Sequence, residues 1–103
     1  MTYKVIITET CKRQIENSIS YIADELQNPE AAIGLLSSIE DIFTRLKEHP
    51  ELYAFCEDTY LRTKQYRKIV LNRYNYICIF KLDDGTVSIH GFFHMLENYS
   101  EKL

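Results

Sequence analysis

The chain has 103 residues with a mass of 12.2 kDa, of which 46% are hydrophobic and 26% are charged. This length predicts a single domain over residues 1–103. The composition excludes a disordered chain, a collagen-like repeat and a disulfide scaffold. The longest apolar run is only a few residues, and the chain opens with a charged segment rather than a signal peptide. We therefore expect a cytoplasmic protein without a membrane partner.

The two halves of the chain carry opposite charge. The formal net charge is −3, but residues 1–60 hold eleven acids and five bases, whereas residues 61–103 hold four acids and seven bases. Six bases and no acid lie between Arg62 and Lys81. On an exposed sheet surface this stretch could receive an anionic partner. The alternative is a solvated basic strand that balances an acidic helical layer.

The first half predicts a strand followed by two helices. Residues 3–7 are β-branched and aromatic, and Thr8 is a good N-cap for a helix from Glu9 to about Leu26. Asn28 and Pro29 break this helix and start a second one that ends at about Lys47. Its predicted apolar face consists of Ala32, Leu35, Leu36, Ile39, Ile42, Phe43 and Leu46. The short connection predicts an antiparallel helix hairpin.

The second half predicts three strands after a loop that contains Tyr53, Phe55 and Cys56. The strands cover residues 66–71, 76–82 and 87–93, and Asp83-Asp84-Gly85 indicates a hairpin between the last two. Residues 76–80 are apolar on both alternating faces, which is typical of a central strand covered on both sides. The helices would cover one face, and the tail from residue 94 or a partner chain the other. The predicted fold is α+β, in the order β-α-α-β-β-β, with the helix hairpin on one face of a mainly antiparallel four-stranded sheet.

The sequence predicts neither a metal nor a cofactor. His90 and His94 are four residues apart, which on a regular strand places them on the same face at about 13 Å. Cys11 and Cys78 fall at predicted core positions, where thiols are inert, and this leaves Cys56 as the one exposed thiol. The three cysteines have no paired spacing that would suggest zinc and are interpreted as reduced thiols.

Metal-free RNA cleavage needs a base, an acid and cations that stabilise the phosphorane. Arg67 or Lys68 could supply the cation, and His94 or Tyr99 the proton transfer. The alternative for His94 is a hydrogen-bonded structural histidine at the end of a strand. Tyr99, one of eight tyrosines, could simply pack its ring over the sheet.

The order of these elements resembles one known family over essentially the whole chain. The strand YKVIIT is followed by two helices, the second running into HPELY, and then by the strands YRK and NYICIF and the closing FFH with a downstream Tyr. This arrangement resembles the RelE/ParE superfamily of bacterial type II toxin-antitoxin toxins and is closest to the ParE branch. The resemblance implies a small toxin with a cognate antitoxin that wraps its surface and occupies the uncovered face of the sheet.

The two branches of the superfamily differ in activity, because RelE-like members cut mRNA on the ribosome and characterised ParE-like members inhibit DNA gyrase. Carried onto this chain, the nuclease pattern keeps Arg67, His94 and Tyr99, which are the catalytic candidates if the protein is a nuclease. Ile69 and Tyr76 replace two expected cations, and the loss of one phosphate-stabilising group can cost about 3 to 4 kcal/mol. The pattern therefore favours a toxin that acts by binding a protein.

The leading hypothesis is a ParE-like toxin with DNA gyrase as its target. The predicted residues for binding antitoxin or target are Arg62, Lys64, Arg67, Lys68, Arg73 and Tyr76. One alternative is a ribosome-dependent mRNA endonuclease with a degenerate site. The other is a non-toxic relic that only binds antitoxin.

Overall fold

The computed structural model describes residues 2–103 and contains four strands and three α-helices. These are β1 (Lys4–Ile7), α1 (Glu9–Ser20), α2 (Pro29–Glu48), α3 (Thr59–Thr63), β2 (Arg67–Leu71), β3 (Tyr76–Asp83) and β4 (Thr86–His94). A π-helical turn, Tyr21–Glu25, extends α1, and 3-10 turns cover Pro50–Leu52 and Tyr99–Lys102. Among the described residues, no helix is both long and apolar enough to cross a membrane.

The predicted caps start the helices. The Thr8 hydroxyl accepts a hydrogen bond from the Cys11 amide at 3.1 Å. The Asn28 carboxamide oxygen accepts from the Ala31 amide at 3.1 Å, and Pro29 occupies the first helical position. Each cap satisfies an amide that has no partner within its helix. The third helix, α3, was not predicted, and Asp58 caps it in the same way at 3.0 Å.

The sheet has the order β1-β4-β3-β2, with β1 parallel to β4 and the other pairs antiparallel. This arrangement confirms the predicted α+β fold and its mainly antiparallel sheet. The central strand β3 is buried on both faces from Tyr76 to Phe80, as its continuous apolar run predicts.

The helices α1 and α2 cover one face of the sheet, which we call the helix face. Its core includes Leu35, Leu46, Phe80 and Val87, all fully buried. Two helix positions differ from the prediction, because Leu36 is 44% exposed and Leu26, the last residue of the apolar stripe predicted for the first helix, is 56% exposed. The wide apolar stripe of α2 exceeds what the sheet can cover.

The opposite face, here the outer face, carries a second core. Ile77, Ile79 and Phe93 from the sheet pack there with Cys56, Leu61 and Tyr66 from the α3 region, and Tyr99 and Leu103 from the tail contact this cluster. The predicted tail therefore supplies part of the cover. The segment from Cys56 to Tyr66 supplies the rest, so this part of the face is covered without a partner chain.

Candidate functional site

The basic residues predicted for binding do not form one surface. Arg62 is exposed on α3, and the Lys64 ammonium lies 5.3 Å from the centre of the Tyr60 ring. Lys68 is half-buried and pairs with Glu57 at 3.5 Å. Arg73 lies 5.4 Å from the centre of the Tyr74 ring, in the connection between β2 and β3.

The Arg67 side chain makes contacts that connect two segments of the chain. Its guanidinium donates hydrogen bonds to the carbonyl oxygens of Tyr53, at 2.6 Å, and Glu51, at 3.4 Å. It also lies over the Phe55 ring, 4.1 Å from the ring centre. These contacts tie the connection after α2 to the first residue of β2. Both hydrogen bonds come from Nη1, so the three N–H donors on Nη2 and Nε are not used in them.

The three nuclease candidates lie apart. Arg67 pairs with Phe80 near one end of β3, whereas His94 pairs with Tyr76 at the other end. Four residues of strand separate these positions by about 13 Å. The Tyr99 ring stacks on Phe93 on the outer face, with the ring centres 5.9 Å apart. The structure does not bring these three side chains into one catalytic arrangement.

His94 and Tyr76 do come together. Their ring centres are 5.3 Å apart in an edge-to-face contact, and Tyr76 stacks on Phe92 at 4.8 Å. Both line an open cleft of about 510 Å³, which we call the His94 cleft. Its other lining residues are Asn17, Ser18, Tyr21 and Glu97. Tyr21 enters the site from the π-helical turn, a local change of helical register that is frequent at functional sites.

Hydrogen bonds hold Glu97 and His94 in position at one wall of this cleft. The Glu97 carboxylate accepts from the His94 amide at 3.0 Å and from the Lys102 ammonium at 2.6 Å. The Lys102 hydrogen bond is the main cause that lowers the pKa of Glu97 below its ordinary value. The His94 ring Nδ1 accepts from the Leu96 amide at 3.2 Å. Acceptance at Nδ1 places the ring hydrogen on Nε2 when the histidine is neutral.

Exposed apolar side chains border the same end of the molecule. Leu96 is 91% exposed and Met95 is 44% exposed in the turn that follows β4. The Met95 amide donates to the Asn75 carbonyl at 2.8 Å, which holds this turn against the start of β3. Among the described residues that line the cleft, none is Lys or Arg. The cleft therefore combines aromatic and amide groups with an apolar rim and lacks a phosphate-binding cation.

The two histidines on β4 face opposite sides of the sheet, so the prediction that they share a face is wrong. Strand pairing passes from Phe80 with Ile89 to Ile79 with Gly91, which makes His90 the extra residue of a β-bulge. His90 contacts the Tyr66 ring at 5.4 Å on the outer face, and His94 contacts Tyr76 on the helix face. No group of three or more His, Cys, Asp or Glu suited to a metal occurs in the described part of the chain.

The bulge creates a small polar cluster that the sequence did not reveal. The His90 Nε2 lies 3.0 Å from the Ser88 hydroxyl, and the Lys81 ammonium lies 4.4 Å from the centre of the Tyr66 ring. Burial, followed by the charge of Lys81, lowers the pKa of His90 below 6.5. His90 is therefore mainly neutral at pH 7.

All three thiols are free and buried. This confirms the predicted positions of Cys11 and Cys78. Burial raises the pKa of Cys11 to about 12, and it also raises the pKa of Cys78. The prediction for Cys56 is wrong, because this residue is 1% exposed in the outer core. Burial raises its pKa as well, so it is not a reactive nucleophile.

A separate apolar surface lies on the helix hairpin. Ile33 is 68% exposed and Leu36 is 44% exposed, three residues apart on α2 and therefore neighbours on its surface. Leu26, at the connection between the helices, is 56% exposed. Exposed apolar groups of this kind are typical of protein-binding surfaces.

Comparisons with known proteins agree with this architecture. The structure is similar to a chain described as the "Chromosomal ParDE TA system from P. aeruginosa", with a TM-score of 0.72, 15% identity, and coverage of 90% of this chain and 96% of that chain. It is also similar to the solution structure of the conserved hypothetical protein HP0894 from Helicobacter pylori, with a TM-score of 0.51, 8% identity, and coverage of 87% and 91%. No match was found among curated proteins.

These likenesses define the α+β fold of ParE/RelE-like proteins. The family model for the ParE toxin of the type II toxin-antitoxin system parDE matches residues 5–99. The chain therefore belongs to the ParE toxin family, and the resemblance seen in the sequence is confirmed.

Proposed function

We propose that this ParE-family protein is a toxin that acts by binding DNA gyrase and is neutralised by a cognate antitoxin. The observation that carries the proposal is the His94 cleft with its exposed neighbours Met95 and Leu96. Aromatic rings, amides and exposed aliphatic side chains around a shallow cleft are what a protein–protein contact uses as anchors. The family membership supports gyrase as the target.

RNA cleavage is less well supported, because its chemistry needs groups that act on one phosphate. Arg67 is held by Tyr53 and Glu51, and His94 lies about 13 Å away along the sheet. A general acid or base must lie within hydrogen-bond reach of the group it serves. The distance along the sheet therefore favours protein binding over catalysis.

The helix hairpin offers a second protein-binding surface, which we assign to the antitoxin. Leu26, Ile33 and Leu36 supply exposed apolar area, and a helix with such a stripe is a common partner for another helix or an extended peptide. The structural likeness to a chain of the ParDE system from P. aeruginosa supports an antitoxin as a partner.

The proposal is tested by expressing the protein without antitoxin and by adding the purified protein to a gyrase supercoiling assay. We expect growth arrest with DNA-damage signalling, and loss of supercoiling. Leu96→Asp should weaken inhibition by about tenfold or more, since a charge replaces an exposed apolar anchor. Asp84→Asn, in the exposed turn between β3 and β4, is the matched control and should inhibit like the parent protein.

Three results would contradict the proposal. Normal supercoiling at high toxin concentration would exclude gyrase as the target. Cleaved transcripts in a ribosome-containing extract would support the nuclease instead. Unchanged growth together with tight antitoxin binding would indicate a non-toxic relic.

A further inference from the structure

Polar side chains from β3 and β4 meet on the part of the outer face that lies toward the β3–β4 turn. Lys81 of β3 pairs with Ser88 of β4, and Ser88 in turn pairs with Ile6 of β1. The bulge adds His90 to the same face, where it contacts the Tyr66 ring. Lys81, Ser88 and His90 are all half-buried and retain access to solvent. We call these three residues and Tyr66 the Lys81 cluster.

The Tyr66 ring holds this cluster together. The Lys81 ammonium lies 4.4 Å from the centre of the ring, and the centre of the His90 ring lies 5.4 Å from it in an edge-to-face contact. The His90 Nε2 lies 3.0 Å from the Ser88 hydroxyl oxygen. Residues directly opposite each other on antiparallel strands have Cβ atoms about 4.5 to 5.5 Å apart, which places Lys81 beside that hydroxyl. An ammonium, a hydroxyl and an imidazole therefore converge on one small area.

The charge of Lys81 is not neutralised by a carboxylate. Lys81 forms no ion pair with any residue in the range 2–103. Asp83, two positions further along the same face of β3, is exposed at the turn. A second cation lies nearby, because burial raises the pKa of Tyr66 and the Lys64 ammonium opposes that rise. A positive cluster of this kind attracts anions.

The hydrogen bond between Ser88 and His90 depends on the charge of the histidine. A neutral ring can accept the hydroxyl hydrogen at Nε2, whereas a protonated ring donates there and leaves the hydroxyl hydrogen free for a ligand. Burial, followed by the charge of Lys81, lowers the pKa of His90 in the free protein. A bound anion would oppose the charge of Lys81 and raise this pKa. Anion binding and protonation of His90 therefore favour each other.

We propose that the Lys81 cluster binds the phosphate group of a nucleotide or of a nucleic-acid strand. The Lys81 ammonium and the Ser88 hydroxyl would donate to its oxygens, and protonated His90 would add a second positive charge behind the hydroxyl. A phosphate has three acceptor oxygens for donors from separate side chains, whereas a carboxylate has two. The cluster lies apart from the His94 cleft and the helix hairpin, so this proposal goes beyond the contacts with gyrase and antitoxin.

NMR titration of the ¹⁵N-labelled full chain tests the proposal. Sulfate is the first probe, because this tetrahedral dianion does not titrate near neutral pH. At constant ionic strength, we expect saturable shifts of the Ser88 and His90 amides and a raised pKa of the His90 ring. Sulfate affinity should increase about threefold or more when the pH falls from about 7.5 to about 6.0, because His90 takes up a proton on binding.

Two substitutions separate the charge of Lys81 from the protonation of His90. Lys81→Met keeps an aliphatic chain on the Tyr66 ring and removes the charge, so sulfate affinity should fall by about tenfold or more. Lys81→Arg should restore most of that affinity, since the charge returns. His90→Gln remains a polar neighbour of Ser88 but cannot be protonated, so the increase in affinity at low pH should disappear.

The matched controls remove the same groups elsewhere. Lys12→Met on α1 and His49→Gln at the end of α2 change exposed residues outside the cluster. Both variants should bind sulfate like the parent protein, with the same dependence on pH. A decrease in affinity for Lys12→Met equal to that for Lys81→Met would show that sulfate responds to the net charge of the protein, and this would overturn the proposal.

Two further probes identify the source of the phosphate. Adenosine 5′-monophosphate carries a terminal phosphate, whereas an oligothymidylate of about twelve nucleotides without terminal phosphates carries only internal ones. Tighter binding of the mononucleotide would assign the cluster to free nucleotides. Tighter binding of the oligonucleotide, calculated per phosphate, would assign it to a strand. The proposal is wrong if none of the three probes gives saturable shifts, or if Lys81→Met leaves those shifts unchanged.

Discussion

The two faces of the sheet are covered in different ways. On the helix face, the long helices α1 and α2 bury a core of sixteen residues that includes Phe80 and Leu35. On the outer face, a short helix, an irregular segment and the tail bury six, including Phe93 and Leu61. Regular helices can cover a sheet over their whole length, whereas a loop covers only the region that it crosses. The outer face therefore leaves polar residues such as Ser88 and His90 partly exposed.

The largest expected effect comes from removing matched phenylalanines on the two faces. Phe80→Ala should lower the free energy of unfolding by about 4 kcal/mol, because helices on one side prevent the cavity from collapsing. Phe93→Ala should cost about 2 to 3 kcal/mol, since the tail residues Tyr99 and Leu103 can move into the space. Urea unfolding of both variants provides the measurement. An equal decrease in the free energy of unfolding for both variants would show that the segments covering the two faces are equally rigid.

Substitution of two glycines extends the comparison of the two faces, because it adds a side chain instead of removing one. A Cβ at Gly91 would lie 2.2 Å from an atom of the buried Phe93 ring, so Gly91→Ala should cost about 1 to 3 kcal/mol. A Cβ at Gly34 would lie 2.1 Å from the Tyr74 hydroxyl. That hydroxyl is the end of a side chain that can swing away, and alanine favours the helix by about 1 kcal/mol. Gly34→Ala should therefore be close to neutral in thermal unfolding.

The double variant provides the control for this prediction. Phe93→Leu in the Gly91→Ala background should restore part of the lost stability, because leucine leaves room for the new methyl group. If Gly91→Ala alone is neutral, the outer core adapts more easily than its packing indicates.

Substitution of Arg67 distinguishes a structural role of this residue from a catalytic one. Arg67→Met removes the hydrogen bonds to Tyr53 and Glu51 and should cost about 1.5 to 3 kcal/mol. The toxicity of the folded Arg67→Met variant, normalised to the amount of soluble protein, should equal that of the parent protein. Tyr99→Phe provides a matched test, since it keeps the ring on Phe93 and removes only the hydroxyl. Loss of toxicity in either variant at full stability would support the nuclease.

The smallest expected effect is the pH dependence caused by His90. Burial and Lys81 lower the pKa of His90 in the folded state, so the unfolded chain binds more protons between that value and about 6.5. The contribution of His90 to stability is therefore present at pH 7 and decreases as the pH falls through 6.5 toward the folded-state pKa. His90→Gln should flatten the stability profile in this range. An unchanged slope in urea titrations would mean that another group titrates there.

The sequence predicted the elements of the helix face well, because their patterns are local. The 3.6-residue period defined α1 and α2, Thr8 and Asn28 supplied caps, and Asp83-Asp84-Gly85 supplied the hairpin turn. The continuous apolar run of β3 likewise predicted burial on both sides. Leu36 was misassigned because periodicity defines a stripe and does not show where the contact with the sheet ends.

The candidate site was harder to predict, because it depends on which residues from distant parts of the sequence lie close together in the fold. The sequence selected Tyr76 and His94 for different reasons, and the pairing of β3 with β4 brought them together. Tyr21 lies on the same helix surface as Asn17 and Ser18, which also line the His94 cleft, but its sequence neighbours do not mark that surface as part of a site. Gly91, next to His90, is a local signal for the bulge, because an isolated glycine within a strand suggests one. The bulge moved His90 to the face opposite His94.

The sequence alone determined the class of this protein. Its order of strands and helices, the caps and the buried central strand are encoded in short segments, and together they identified the toxin family. Only the tertiary structure decided which side chains share a site: it held Arg67 in structural hydrogen bonds, buried Cys56 and placed His90 on the outer face. The physical reason is that a local pattern sets the conformation of a segment. Strand register, bulges and the packing of loops set which residues from distant segments meet.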